Sequence, residues 1–202
     1  MTKDNVVNIV FVLDESGSME NIKDEAITGF NEFVRKQKEF PGEATVSLVL
    51  FSNNNRIVYD QIPLNECPEL NYNTFRPNGM TALYDAIGTA VNKYIYSGRD
   101  TILAILTDGE ENSSREYKYG QINNMLTHVQ DELKWDVTFL GANIKNIESF
   151  TAGLGIKSGK AFAFNADTDG MNYSYNLAST STTNARSAYA ANSVDKTVAV
   201  NN

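Results

Sequence analysis

Five oxygen-bearing side chains in this sequence fall where strands give way to helices. Asp14, Ser16 and Ser18 lie in Asp14-Glu15-Ser16-Gly17-Ser18, directly after the apolar run Val6–Leu13. Thr81 lies in Asn78-Gly79-Met80-Thr81-Ala82-Leu83, at the start of a second helical pattern, and Asp108 lies in Thr107-Asp108-Gly109, after the apolar run Thr101–Leu106. Two carboxylates and three hydroxyls suit a hard divalent cation that prefers oxygen, Mg²⁺ above all. Each stretch also has a local explanation. Asp and Ser are favoured at turns and N-caps, Thr81 could cap its helix, and Asp108-Gly109 could turn the chain. A shared site requires the elements carrying them to converge.

The hydropathy pattern supplies such elements. Val6–Leu13 is apolar at nearly every position, as a strand covered on both faces is. A helix beginning near Met19 carries Ile22, Ala26, Phe30, Phe33 and Gln37 at spacings of four and three, and Pro41-Gly42 stops it. Ala44–Phe51 and Arg56–Ile62 flank the turn cluster Ser52-Asn53-Asn54-Asn55; so short a connection makes them antiparallel, with the second at the sheet edge. Pro63 to Pro77 shows no period. Helices are expected over Ala82–Ser97, Glu116–Lys134 and Ile147–Leu154, and strands over Thr101–Leu106, Asp136–Leu140 and Ala161–Phe164. The inward stripe of the 116–134 helix is Tyr119, Ile122, Leu126, Val129 and Leu133. The Ser/Thr/Asn-rich stretch after Asp169 repeats Met171, Tyr175, Ala178, Thr182, Ala185 and Tyr189 at helical spacing, with Leu177 on its flank. It predicts a C-terminal helix to about Ala191, docked on the sheet through Met171, Tyr175 and Ala178. Residues 193–202 carry no assignable signal.

Helices between strands imply an α/β, Rossmann-like, doubly wound three-layer sandwich around a mostly parallel sheet. With no interior linker and no repeat, residues 1–192 are expected to form one domain. If the strands ending at Leu13 and Leu106 are neighbours, the crevice at the switch point of the sheet gathers Asp14, Ser16, Ser18, Thr81 and Asp108.

Composition narrows the chemistry. The formal net charge of −8 argues against a protein that tracks nucleic-acid phosphates. Cys67 is the only cysteine, which rules out an internal disulfide and a multi-Cys metal site, and it reads as an inert thiol. His128 is the only histidine and falls off the apolar stripe of its helix, so a His-based triad has little support. No apolar run approaches the roughly 20 residues of a membrane helix, and the N-terminus lacks a signal-peptide profile. A cytoplasmic protein without a membrane partner is expected.

The three stretches together resemble the von Willebrand factor type A domain and its metal-ion-dependent adhesion site, whose D-x-S-x-S signature matches Asp14-Glu15-Ser16-Gly17-Ser18. The resemblance spans about residues 5–192 and fills all five metal-site positions. It implies six strands in the order 3-2-1-4-5-6 with only the third antiparallel. It also implies roles: Ser16 and Ser18 ligate Mg²⁺ directly, Thr81 directly or through water, and Asp14 and Asp108 largely through water. Mn²⁺ or Ca²⁺ are the substitutes. Neutral hydroxyl ligands leave the cation's charge poorly compensated, so it seeks a partner's Asp or Glu carboxylate. Glu20, Asn53, Asn78, Met80, Glu110, Glu111, Asn112 and Asn143 are expected on the partner-facing rim.

The expected function is a non-catalytic, cation-dependent protein-binding module. The alternatives are a Mg²⁺-dependent phosphatase or other hydrolase using Asp14, and an RNA-associated member of the same family. Against the first, the sequence lacks the second Asp of a D-x-D motif, a G-x-x-x-x-G-K loop and a G-x-S-x-G elbow. Against the second stands the acidic balance.

Overall fold

The computed structural model describes residues 6–200, with side chains through residue 193. Residues 1–5 and 201–202, the ends of the expected domain and tail, lie outside the described residues. The strands are β1 (Val7–Asp14), β2 (Ala44–Phe51), β3 (Asn55–Pro63), β4 (Thr101–Thr107), β5 (Asp136–Ala142) and β6 (Ala161–Phe164). The helices are α1 (Lys23–Glu39), α2 (Leu83–Tyr94), α3 (Tyr119–Asp131), α4 (Ile147–Gly153) and α5 (Thr168–Val200). The six strands form one sheet in the order β3-β2-β1-β4-β5-β6. β1 pairs in parallel with both β2 and β4, and β3 alone is antiparallel to its neighbour. The expected α/β sandwich and strand order are therefore observed.

β1 is buried at every position because both its faces are covered. Ile9, Phe11 and Leu13 join the core under α1 and α5, which includes Phe30, Phe33, Met171 and Tyr175. Val10 and Val12 join the opposite core, under α2 and α3, which includes Leu83, Ile87, Ile122 and Leu126. In β3 only Tyr59 is buried and the other positions are half-buried or exposed, as in an edge strand.

Several element boundaries differ from the sequence expectation; α2, for one, ends at Tyr94 rather than Ser97. A 3₁₀ turn over Gly17–Ile22 precedes α1, so the regular helix starts at Lys23 rather than near Met19. Its tighter winding lets the chain leave β1 and double back over the sheet end within one short connection. α3 starts at Tyr119, not Glu116, which puts Tyr119 on the first turn with 44% of its surface exposed. Its ring instead meets Tyr84 at 6.1 Å between centroids. α3 also ends at Asp131, so Leu133 is only half-buried, and Lys134 takes a left-handed φ of 61°.

α5 follows the expected stripe and runs on to Val200. Met171, Tyr175, Ala178, Thr182, Ala185 and Tyr189 are all buried. The Tyr175 ring stacks on Phe11 at 5.8 Å and donates its hydroxyl to Ala26 O at 2.9 Å. Because the stripe has few large apolar side chains, polar contacts complete it. Gln37 Nε2 donates to Ser179 O, and Arg186 reaches the end of α1. Of the stretch from Pro63 to Pro77 that shows no period, Pro63 ends β3 and Leu64–Glu66 form a 3₁₀ turn; the stretch buries Leu70 and Phe75 and is part of the packed structure.

Candidate metal centre

All five oxygen-bearing residues converge at the carboxyl ends of β1 and β4. Asp14 is the last residue of β1 and Thr107 the last of β4, and the two strands are hydrogen-bonded neighbours. Asp14 is buried, and uncharged donors engage both its carboxylate oxygens. Ser16 N–H donates to Oδ1 at 2.7 Å and the Thr107 hydroxyl to Oδ2 at 2.6 Å. The Ser16 and Ser18 hydroxyl oxygens are 3.1 Å apart, and Ser18 Oγ donates to Asp108 Oδ1 at 2.7 Å. Ser16, Thr81 and Asp108 are buried, while Ser18 is exposed and marks the solvent side.

Thr81 arrives from another direction. Its N–H donates to Asn112 Oδ1 at 2.9 Å, and its C=O accepts from Asn112 N–H at 3.0 Å. These two bonds bind the start of α2 to the loop after β4. The Thr81 hydroxyl faces Gly109, where an added Cβ would sit 3.6 Å from Oγ1. Gly17 N–H donates to Gly79 O at 3.0 Å and Ala82 N–H to Ser52 O at 2.8 Å, so the three loops are stitched together through the backbone.

Local explanations for the hydroxyls do not hold. Ser16 precedes the 3₁₀ turn but makes no side-chain cap, and α2 has Ala82 rather than Thr81 at its cap position, again without a side-chain bond. These side chains therefore do not serve helix termini.

Burial pushes the Asp14 carboxyl up to about 6, against the opposing hydrogen bonds from Thr107 and Ser16. Burial likewise raises Asp108, against the bond from Ser18. Neither carboxylate has a Lys or Arg partner among the described residues. Among those residues, no three of His, Cys, Asp and Glu converge as a metal cluster. The donor set here is instead two carboxylates with hydroxyls, which fits a hard cation of the Mg²⁺ class and not a thiolate- or imidazole-bound ion.

The rim residues divide by what they touch. Met80 is 51% exposed, and its backbone is pinned by donation of its N–H to Asn53 Oδ1 at 2.7 Å. Asn78 N–H donates to Glu15 O at 2.9 Å. Asn143 Nδ2 donates to Asp108 O at 2.9 Å and Glu110 accepts from Lys145 N–H at 3.2 Å. Glu20 lies within 3.4 Å of Lys23. The Glu111 carboxylate accepts from Tyr84 N, Ser113 N, Ser114 N and Ser114 Oγ, so it organises the loop from beneath.

Sequence reasoning gave no role to three participants. Thr107 closes β4 beside Asp108, but its bond to Asp14 depends on the β1–β4 pairing. Asp85 accepts from the N–H groups of Arg115, Glu116 and Tyr117 and clamps the Asp108 loop onto α2. Its position four residues after Thr81 was the available signal. Glu15 binds Arg56, a contact set by the β2–β3 hairpin register that no local motif announces.

The sequence profile of the von Willebrand factor type A domain matches residues 8–176. The chain belongs to this family. Solved structures similar to it include proximal thread matrix protein 1 from the mussel byssus with a zinc-occupied metal-ion-dependent adhesion site, at 15% identity and a TM-score of 0.61, covering 86% of this chain and 46% of that one. The ArnB paralog VWA2 of Sulfolobus acidocaldarius is similar at 19% identity and a TM-score of 0.58, covering 83% and 43%. The type V pili tip protein Mfa5 domain of Porphyromonas gingivalis is similar at 11% identity and a TM-score of 0.63, covering 86% and 94%. The chain thus spans less than half the length of the first two. At these identities the likeness is one of fold. No curated protein matches the sequence. Domains of this family are typically metal-dependent interaction modules and generally non-catalytic. No described helix is long and apolar enough to cross a membrane.

Proposed function

We propose that this von Willebrand factor type A domain is a Mg²⁺-dependent protein-binding module that captures an acidic side chain of its partner. The observation that carries the reading is the junction of Ser16, Ser18 and Asp108 through contacts of 3.1 and 2.7 Å beside buried Asp14. Ser16, Ser18 and Thr81 would hold the cation, with Asp14 and Asp108 orienting hydroxyls and waters around it. Three neutral ligands leave room on Mg²⁺ for an outside oxygen. The bound ion would supply an uncompensated positive charge on an acidic protein, at the solvent side marked by Ser18 and Met80.

A hydrolase that used Asp14 as nucleophile would need an approachable carboxylate. Asp14 is buried with both oxygens engaged, which weighs for the binding reading. The net charge of −8 weighs against RNA. The test is calorimetric titration with Mg²⁺ and Mn²⁺, followed by partner capture with Mg²⁺ and with chelator. One binding site and cation-dependent capture are expected. Capture that persists in excess chelator and survives Thr81→Ala would overturn the proposal.

A further inference from the structure

Arg56 and Glu15 lie outside the five-residue set, yet they meet beside it. Arg56, near the start of β3, places Nη2 2.8 Å and 2.9 Å from the two carboxylate oxygens of Glu15. The same nitrogen donates to Thr74 O at 2.5 Å, and Arg76 N–H donates to Glu15 Oε1. The Glu15 side chain is only 8% exposed, that of Arg56 48%. Backbone bonds fix Glu15 as well: its N–H donates to Phe51 O at 2.6 Å and its C=O accepts from Asn78 N–H at 2.9 Å. Glu15 stands between Asp14 and Ser16, so its carboxylate lies within about 10 Å of their oxygens.

Glu15 therefore adds a carboxylate beside the two of the site without joining them in a ligand cluster, and Arg56 is the guanidinium paired with it. We propose that the Glu15–Arg56 pair sets how strongly a metal ion held at this site draws an outside carboxylate. The inference rests on the metal-dependent reading above. Paired, Glu15 and Arg56 add almost no net charge, and the cation faces only Asp14 and Asp108. Without Arg56, Glu15 becomes a third uncompensated anion. It then binds the metal more tightly and repels an incoming carboxylate. Without the Glu15 charge, Arg56 acts in the opposite sense on both. A unit charge at about 10 Å, with an effective dielectric near 20 and physiological salt, changes such affinities by roughly threefold to tenfold.

Opposite movement of two affinities separates this role from a structural one. The experiment uses Arg56→Gln, Glu15→Gln and the double variant in the full chain, each checked for folding by its thermal midpoint. Glu15→Gln retains an acceptor for Arg76 N–H. Mn²⁺ affinity is read by calorimetry. Propionate, which mimics a glutamate side chain, is read by the broadening of its proton signals by protein-bound Mn²⁺. Arg56→Gln is expected to tighten Mn²⁺ and weaken propionate by about threefold to tenfold each, and Glu15→Gln to do the reverse. The double variant should return both to within about twofold of wild type, because a neutral pair replaces a neutral pair. If both ligands weaken together, or if the double variant is as impaired as the worse single one, the pair is structural and the inference falls. Wild-type protein that binds Mn²⁺ beside unresponsive variants overturns this inference alone. Wild-type protein that binds no Mn²⁺ overturns the metal reading and this inference with it.

Discussion

The hydroxyl of Ser18 donates to Asp108 at 2.7 Å across a sequence separation of 90 residues. That single bond joins the loop leaving β1 to the loop leaving β4. It exists because the two strands are parallel neighbours, so their carboxyl ends lie side by side. Among the described residues Asp108 accepts this bond without a Lys or Arg beside it, and so does Asp14 with its bonds from Ser16 and Thr107. Buried carboxylates satisfied only by neutral donors are costly as anions. The site is thus built at the expense of the metal-free fold, and a bound cation would reverse that cost.

Asp14→Asn tests this balance. The amide keeps an acceptor for Ser16 N–H and removes the buried charge. At neutral pH the melting temperature in chelator should be equal to or above that of wild type. Wild type should gain about 2.7 kcal/mol when Mg²⁺ reaches 100 times its dissociation constant, and the variant should gain nothing. Thermal melts with Mg²⁺ and with chelator measure both. An unchanged Mg²⁺ response in Asp14→Asn removes Asp14 from the site.

The same carboxyl sets a pH dependence. Its folded value of about 6 lies above the ordinary 3.8, so the folded state holds the proton more tightly than the unfolded chain. The unfolded state binds fewer protons between these values, so stability in chelator falls as pH rises from about 4 to 6 and beyond. The full difference corresponds to roughly 3 kcal/mol. Urea unfolding at pH 4.5 and 7 compares wild type with Asp14→Asn. The contribution should appear as a steeper decline in wild type. Parallel curves would show that Asp14 keeps an ordinary acidity.

Much of this was legible because local pattern and tertiary outcome agree. β1 reads as doubly buried and is, and the short Ser52–Asn55 connection requires the antiparallel β3 that is found. The five oxygens are legible because they fall in recognisable short motifs on the connections between strands and helices. The Glu15–Arg56 contact is not, because it depends on hairpin register and a loop without periodicity. Tyr119 departs from the inward stripe for a related reason: Asp85 holds Arg115, Glu116 and Tyr117 in a non-helical path by their N–H groups. A tertiary anchor there overrides a helical pattern.

Gly29 shows how closely α5 lies on α1. A Cβ at this position would sit 2.1 Å from Tyr175 Cδ2. The ring cannot retreat, since it stacks on Phe11 at 5.8 Å and its hydroxyl is bound to Ala26 O. Gly29→Ala should destabilise the fold by roughly 1–3 kcal/mol through overpacking, despite the better helix propensity of Ala. Gly120→Ala, where a Cβ meets nothing within 4 Å, should cost nothing and serves as the control. Denaturant midpoints check both. Equal midpoints for the two variants would mean that α5 docks more loosely than the ring contact implies.

Arg186 locks the far end of the same pair of helices. Its Nη1 donates to Gln37 O at 2.8 Å and its Nη2 to Gly42 O at 2.8 Å, with further contacts to Phe40 O and Pro41 O at 3.4 Å. The guanidinium lies 4.8 Å from the centroid of the Phe40 ring. It is buried, and burial lowers its proton affinity below the usual arginine range. The charge is held by carbonyl dipoles at the C-terminus of α1, where a helix leaves acceptors unsatisfied. Arg186→Ala strands several of those carbonyls in a buried place and should cost on the order of 2–4 kcal/mol. Arg186→Lys should recover little, because one ammonium cannot follow a planar fork that spans Gln37 to Gly42. Amide hydrogen exchange gives the decisive reading. In Arg186→Ala, protection should fall first in α5 and the last turn of α1, and remain in β1 and β4. Loss of protection spread evenly through the sheet would show instead that α5 and the central strands open as one unit.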